Sequence, residues 1–263
     1  LADQIGAFIV DPVYAKPVDF SSVELVVATW AYALQIYLDF SAYSDIAIGL
    51  GRVFGLKLPV NFRKPYSAAN PREHWQGWHI TLSTWLRDYL YISLGGKRGS
   101  TLFRLRNVMI TMLLGGLWHG AVGTYVIWGG LHGVYVCIQQ LWEKKPPFKL
   151  GLPRPVRIFL FFQLICLTFV FFRSPTVGHA WHILGRIVSF DPGLSHITSV
   201  WLILLAGAVF MHTVADPALE KAVDLAGRAP ALVYATAFMG LFMIFYVLSE
   251  NNLTHRAFIY FQF

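Results

Sequence analysis

Apolar and polar residues fall along this chain in long blocks, the pattern of helices that bury most of their surface rather than of alternating strands. Residues 23–38 (VELVVATWAYALQIYL) are the first uninterrupted apolar block and read as a membrane helix. Before them, residues 1–22, with Pro12, Pro17 and an FSS turn, read as a short helix and a loop. DFSAYSD (39–45) follows and sets Asp39 and Asp45 beside lipid-like sequence. Asp39 or Ser41 could cap a new helix there by accepting from its first free N–H groups. Capping does not account for two carboxylates, two serines and a tyrosine in seven positions. The next helix carries Ala47, Gly51 and Gly55 four apart, a small-residue face that predicts close packing on another membrane helix. It is expected to end near Pro59, before a polar loop over 60–74.

The segment from Trp75 to His119 organises the rest. At about 100° per residue, Trp75, Trp78, Leu82, Trp85 and Tyr89 fall within about 80° of one another, an apolar stripe on one predicted helix. His79, Ser83 and Arg87 form a polar line beside it, with Asp88 on another face. GGKRG (95–99) lacks the GxxxxGK[ST] spacing of a phosphate loop and reads as a glycine turn in a basic loop. The apolar run 107–118 is too short to cross a bilayer alone. It is expected to be a broken or re-entrant segment that delivers His119 to membrane depth, where an ionisable residue is usually functional. Gly120 and Gly123 then mark a bend, and TYVIWGGLHGVYVCIQQLW returns through the membrane with His132 on it. For His132 a hydrogen-bonded packing role and a catalytic one both stand. Further apolar helices are expected over 158–172, 200–215 and 231–248, the last two bracketing a loop of mixed charge, with an aromatic, interfacial C-terminus NNLTHRAFIYFQF. His179 and His182 have a metal-compatible i, i+3 spacing but no third ligand near them in sequence, so they read as a surface pair and no metal site is expected.

Composition sharpens this into a class. The chain of 263 residues is 56% hydrophobic and only 13% charged, about half the charge of a soluble domain, and its mean hydropathy is +0.53. It reads as all-α, a polytopic membrane helical bundle with re-entrant and broken helices, forming a single membrane domain over 1–263. The net charge of +7 does not imply nucleic-acid binding. The basic residues gather in short loops, Lys97 to Arg106 and Lys144 to Arg157, as cytoplasmic loops do. That places both ends of 108–142 on one side, with His119 near the turn of a hairpin. Cys137 and Cys166 lie in apolar segments, without the spacing of a zinc or redox site. The first residue is Leu, with no signal region after it, so the chain is read as beginning inside a longer protein.

YLDFSAYSDIAIGLGRVFGLKLPVNFRKPY (37–66), EHWQGWHITLSTWLRDYLYISLGGKR (73–98) and TMLLGGLWHGAVGTYVIWGGLHG (111–133) resemble the membrane-bound O-acyltransferase (MBOAT) family, in its bacterial alginate O-acetyltransferase-like branch. The resemblance implies that the N-terminal part of the fold precedes this segment. It also implies that His119 is the family's catalytic histidine and His79 its second polar residue, in a tunnel joining a cytoplasmic donor to an extracytoplasmic acceptor. Acyl transfer to an alcohol needs a base, a donor to the oxyanion, and exclusion of water. Imidazole, with an ordinary pKa near 6.5, suits the base. His119 is assigned that role; His79, with Ser83 or Arg87 near it on the same face, is expected to orient the donor carbonyl or stabilise the oxyanion, and Trp118 and His132 are further substrate-binding candidates. No bound cofactor is expected. The donor substrate is acetyl-coenzyme A or another acyl thioester from the cytoplasm. The acceptor is an extracytoplasmic polysaccharide, alginate-like, or a periplasmic acetyltransferase partner protein, with membrane lipid around the bundle in a bacterial inner membrane. A transporter or export subunit whose histidines relay protons, or only pack, is the competing reading. No second related half is visible in support of it.

Overall fold

The computed structural model describes residues 1–144, 151–226 and 230–251, and every regular element among them is helical. The chain starts with α1 (Ala2–Ile5), which runs through a π-helical turn (Gly6–Val10) into α2 (Asp11–Ala15). This helical entry is longer than the expected short helix; it packs on α3 (Ser22–Val53), and Ile5, Ile9 and Val13 on it are fully buried.

Helix α3 begins at a capping box. The Glu24 N–H donates to Ser21 Oγ at 3.2 Å, and the Ser21 N–H donates back to Glu24 Oε2 at 2.9 Å. It then continues for 32 residues without interruption, straight through DFSAYSD. The expected helix boundary at Asp39–Ser41 is therefore absent. That stretch contains neither Gly nor Pro, and its serines turn their hydroxyls back onto the helix, Ser41 to the Leu38 carbonyl and Ser44 to the Phe40 carbonyl. The helix stops at Gly55, whose φ of +74° is free to glycine. There Leu56 N–H bonds Gly51 O and Gly55 N–H bonds Arg52 O, a Schellman end. Among the described residues no helix is seen against the expected small-residue face. A Cβ on Gly51 would touch the Leu58 side chain of the chain's own return, one on Gly55 would meet nothing among the described residues, and Gly55 lies beyond the helix.

The stripe predicted on one helix over 75–89 is also divided. Helix α4 (Pro71–Gly77) ends at Trp78, His79 has a left-handed backbone (φ +41°), and α5 (Ile80–Trp85) then runs into a π-helical turn, Leu86–Tyr91. Trp78 is 3% exposed whereas Trp85 and Tyr89 are 52% and 69% exposed, so the five residues share no face. The cause lies outside the segment. The loop over 61–63 docks on the break, with Arg63 N–H on Gly77 O and Ile80 N–H on Asn61 O, each at 2.9 Å. Any Cβ on Gly77 would strike the Arg63 carbonyl.

Helix α6 (Thr101–His119) is continuous, so the apolar run is the inner part of one 19-residue helix and not a broken segment. After the glycine turn at Gly95, Gly96 and Gly99, all at positive φ, it runs up to His119, and α7 (Gly123–Lys144) runs back. Glycines bring the two together: a Cβ on Gly116 would enter the Tyr125 carbonyl, and one on Gly129 the Met112 carbonyl. At the open end Lys144 Nζ donates to Thr101 Oγ1 at 2.8 Å. The expected hairpin with His119 at its turn and the basic ends together is the arrangement seen.

Helix α8 (Arg154–Arg173) packs on α3, with Trp30 Nε1 donating to Gln163 at 2.8 Å and Tyr32 edge-on to Phe169. Helix α9 (Val177–Val188) carries His179 and His182, and α10 (Ser199–Ala226) and α11 (Ala231–Asn251) follow. Residues 216–226, expected in a charged loop, continue α10 as helix. The C-terminal NNLTHRAFIYFQF lies outside the described residues but for Asn251, as do 145–150 of the second basic loop. Among the described residues α3 and α8 are long and apolar enough to cross a membrane. Outward-facing Ile46, Leu50, Phe54, Leu202, Ile203, Phe210 and Phe242 give the bundle an apolar exterior suited to lipid.

Candidate active site

His79 owes its position to the break before α5. Its left-handed backbone is costly for a residue with a Cβ, and such conformations concentrate at functional sites. Asn61 holds its ring. Asn61 Oδ1 accepts from the Thr81 N–H at 3.3 Å and the Thr81 hydroxyl at 3.0 Å, and lies 3.2 Å from His79 Nδ1. An oxygen already facing an obligatory N–H donor is an acceptor, so His79 Nδ1 carries the proton and Nε2 keeps its lone pair. Asn61 is itself anchored by donating to Ser44 Oγ. The imidazole lies edge-on to Phe40 at 4.7 Å and to Trp118 at 6.3 Å between ring centroids.

His119 is the last residue of α6, and aromatic rings surround it. Trp118 is at 4.9 Å, Trp128 of α7 at 5.1 Å and Phe172 of α8 at 5.1 Å. His79 and His119 thus lie against the same indole, and both are half-buried. Trp118 itself is 57% exposed, so the pair is reachable from outside the packed core.

A second pair of histidines lies deeper. His132 and His74 are 2% and 1% exposed and stack on each other at 5.8 Å. The Thr168 hydroxyl donates to Ile165 O at 2.7 Å, so at 3.1 Å from His132 Nε2 its oxygen receives the ring proton. That chain ends on a backbone carbonyl. His74 Nδ1 faces the Pro65 carbonyl at 3.3 Å and so donates to it. His119 and His132, which one continuous helix would set far apart in angle, both reach Trp128 because the turn at Gly120 separates their helices.

Ser83 and Arg87 belong to a neighbouring cavity of ≈ 210 Å³, walled also by Trp75, Tyr91, Lys97, Thr111 and Met112. Neither presents its polar atoms alone: Ser83 Oγ donates to Trp78 O, and Arg87 Nε pairs with Asp88 at 2.7 Å, although these two were expected on different faces. The structure therefore brings His79, His119 and Trp118 together, with His132 beneath Trp128, and sets Ser83 and Arg87 to one side. Asn61, His74, Trp75, Trp128 and Thr168 were not anticipated. Among the described residues no three His, Cys, Asp or Glu side chains are grouped to hold a metal, and His179 and His182 gather no third ligand.

The fold and site define an all-helical, apolar-surfaced bundle with paired histidines at a helix break and a helix end. The MBOAT, membrane-bound O-acyltransferase family, matches residues 2–149, and the chain belongs to it. It is 48% identical over 161 residues to the probable alginate O-acetylase AlgI of Pseudomonas aeruginosa, covering 61% of this chain and 30% of that protein. It is 36% identical over 219 residues to the peptidoglycan O-acetyltransferase of Helicobacter pylori, 81% of this chain and 41% of that protein. To the teichoic acid D-alanyltransferase of Streptococcus thermophilus it is 28% identical over 198 residues, covering 66% and 48%. The chain thus spans between 30% and 48% of the length of these relatives.

Proposed function

We propose that this chain is the catalytic portion of a membrane-embedded O-acyltransferase that moves an acetyl group from a cytoplasmic thioester, acetyl-coenzyme A, to a hydroxyl. The acceptor is an extracytoplasmic polysaccharide, alginate-like, or a periplasmic partner protein, and the membrane is the bacterial inner membrane. The family and the alginate and peptidoglycan relatives support the reaction class and the kind of acceptor. One observation carries the assignment within the chain: two half-buried imidazoles, His79 and His119, share Trp118, one of them with its tautomer fixed by Asn61. His119 takes the acceptor proton as the hydroxyl oxygen attacks the thioester carbon. His79 presents the Nε2 lone pair to a neighbouring hydroxyl of the acceptor, which positions the attacking one for His119, and the surrounding rings exclude water. A proton-relay transporter is not favoured, because the hydrogen bonds from His132 end at the Ile165 carbonyl.

His119→Gln in the full-length protein tests this. Glutamine keeps hydrogen-bonding capacity and similar bulk but cannot act as a base near neutral pH, so polymer acetylation should fall about 10²–10⁴-fold with membrane level and melting temperature held. A folded variant with near-wild-type acetylation would end the proposal.

A further inference from the structure

The histidines supply a base but not the donor that an acyl-transfer oxyanion requires: His79, first expected to help, gives its N–H to Asn61, and Ser83 and Arg87 are turned to Trp78 O and Asp88. The site does contain a donor without a partner. Trp128 is 5% exposed, and its indole Nε1 has no hydrogen-bond partner. Native structures rarely leave a buried N–H in this state, and where they do, a catalytic role is one of the recognised reasons. Its ring is 5.1 Å from His119 and 4.8 Å from His132, both nearly edge-on or tilted. Trp75, 6.2 Å away, likewise buries an unpartnered Nε1 and forms part of the wall of the neighbouring cavity. Both imidazoles offer acceptor nitrogens in principle, yet neither indole N–H reaches one. Two indole donors are thus gathered around His119 and His132 with nothing among the described residues to receive them.

We propose that the indole N–H of Trp128 donates to the carbonyl oxygen of the acyl group while His119 works on the attacking hydroxyl. This rests on the acyl-transfer reading above. The acceptor's oxygen forms a bond to the thioester carbon, its proton passes to His119, and the carbonyl π pair moves onto the oxygen that Trp128 faces. The intermediate then collapses: the carbonyl re-forms, the carbon–sulfur bond breaks, and the departing thiolate takes the proton from His119. A donor already in place and shielded from water needs no reorganisation as charge develops, which is where oxyanion stabilisation is most effective.

The test uses the full-length protein in nanodiscs, with acetyl-coenzyme A and a soluble polyol acceptor, and reads thiol release, kcat, KM and melting temperature. Trp128→Phe removes the N–H, and 3-benzothienylalanine at position 128 removes it while keeping the bicyclic shape. Loss of the donor should lower kcat about 10²–10³-fold, leave KM within a few-fold, and leave the benzothienyl protein's melting temperature unchanged. A benzothienyl protein with near-wild-type kcat overturns the proposal. So does a rate loss that tracks a fall in melting temperature, which would assign the ring a packing role. If the wild type releases thiol and His119→Gln does not, while the benzothienyl protein does, only the Trp128 assignment fails. If the wild type releases none, the acyl-transfer reading itself fails.

Discussion

Asn61 shows how much of this site depends on one amide. It bonds Ile80 N–H through its backbone, takes Thr81 through its side chain and fixes the His79 tautomer. Asn61→Ala should let the ring turn and place the wrong nitrogen toward the site. We expect acetylation to fall about 10- to 100-fold, the scale for removing the partner that orients a functional histidine, with Asn61→Asp recovering much of it because a carboxylate still accepts. Equal activity in the alanine and aspartate variants would show that the tautomer is immaterial. His119 and His79 were legible in the sequence because each is an ionisable residue in apolar surroundings. His74, five positions before His79, and Asn61, one of several polar residues in a loop, carried no local mark. Their importance arises from what the fold brings against them.

Glycines divide at the scale of elements into those that seal helices together and those that only turn the chain. Gly129 faces the Met112 carbonyl, which cannot move without displacing α6, whereas Gly51 faces the end of the Leu58 side chain, which can. Gly129→Ala should therefore cost about 1–3 kcal/mol or more, and Gly51→Ala clearly less, read as thermal unfolding in detergent. Equal costs would contradict the packing described. The apolar blocks announced most helices and the α6–α7 hairpin, since length and hydropathy are local properties. The break at His79 was hidden, because the helical period runs unbroken through it and the cause, the loop at 61–63, is remote in sequence. Conversely, acidic and hydroxyl residues at 39–45 suggested a boundary that a stretch without Gly or Pro had no reason to make.

Across the whole molecule, polar contacts at the basic end tie three helices. Glu73 accepts from Ala69 N–H, from Asn70 and from Arg154 at the start of α8, while Arg72 reaches Glu143 on α7. Burial raises the Glu73 carboxyl, but the Ala69 N–H, Arg154 and Asn70 outweigh it and hold its pKa below the usual carboxylate value. A carboxyl with a lowered folded-state pKa contributes fully above its unfolded value, about 4.3, and that contribution disappears as pH falls through the folded value. Glu73→Gln should thus lower the melting temperature at pH 7 and make little difference near pH 3. An equal shift at both would remove the charge from the account.

The α6–α7 seam has a consequence for biogenesis. Adjacent in sequence and held by their own glycines, the two helices can enter the bilayer from the translocon as one unit while the ribosome is still elongating. Phe172 and Thr168, which complete the surroundings of His119 and His132, arrive only with α8. The nascent protein therefore passes through a stage in which His119 and His132 are inserted but open to lipid on one side.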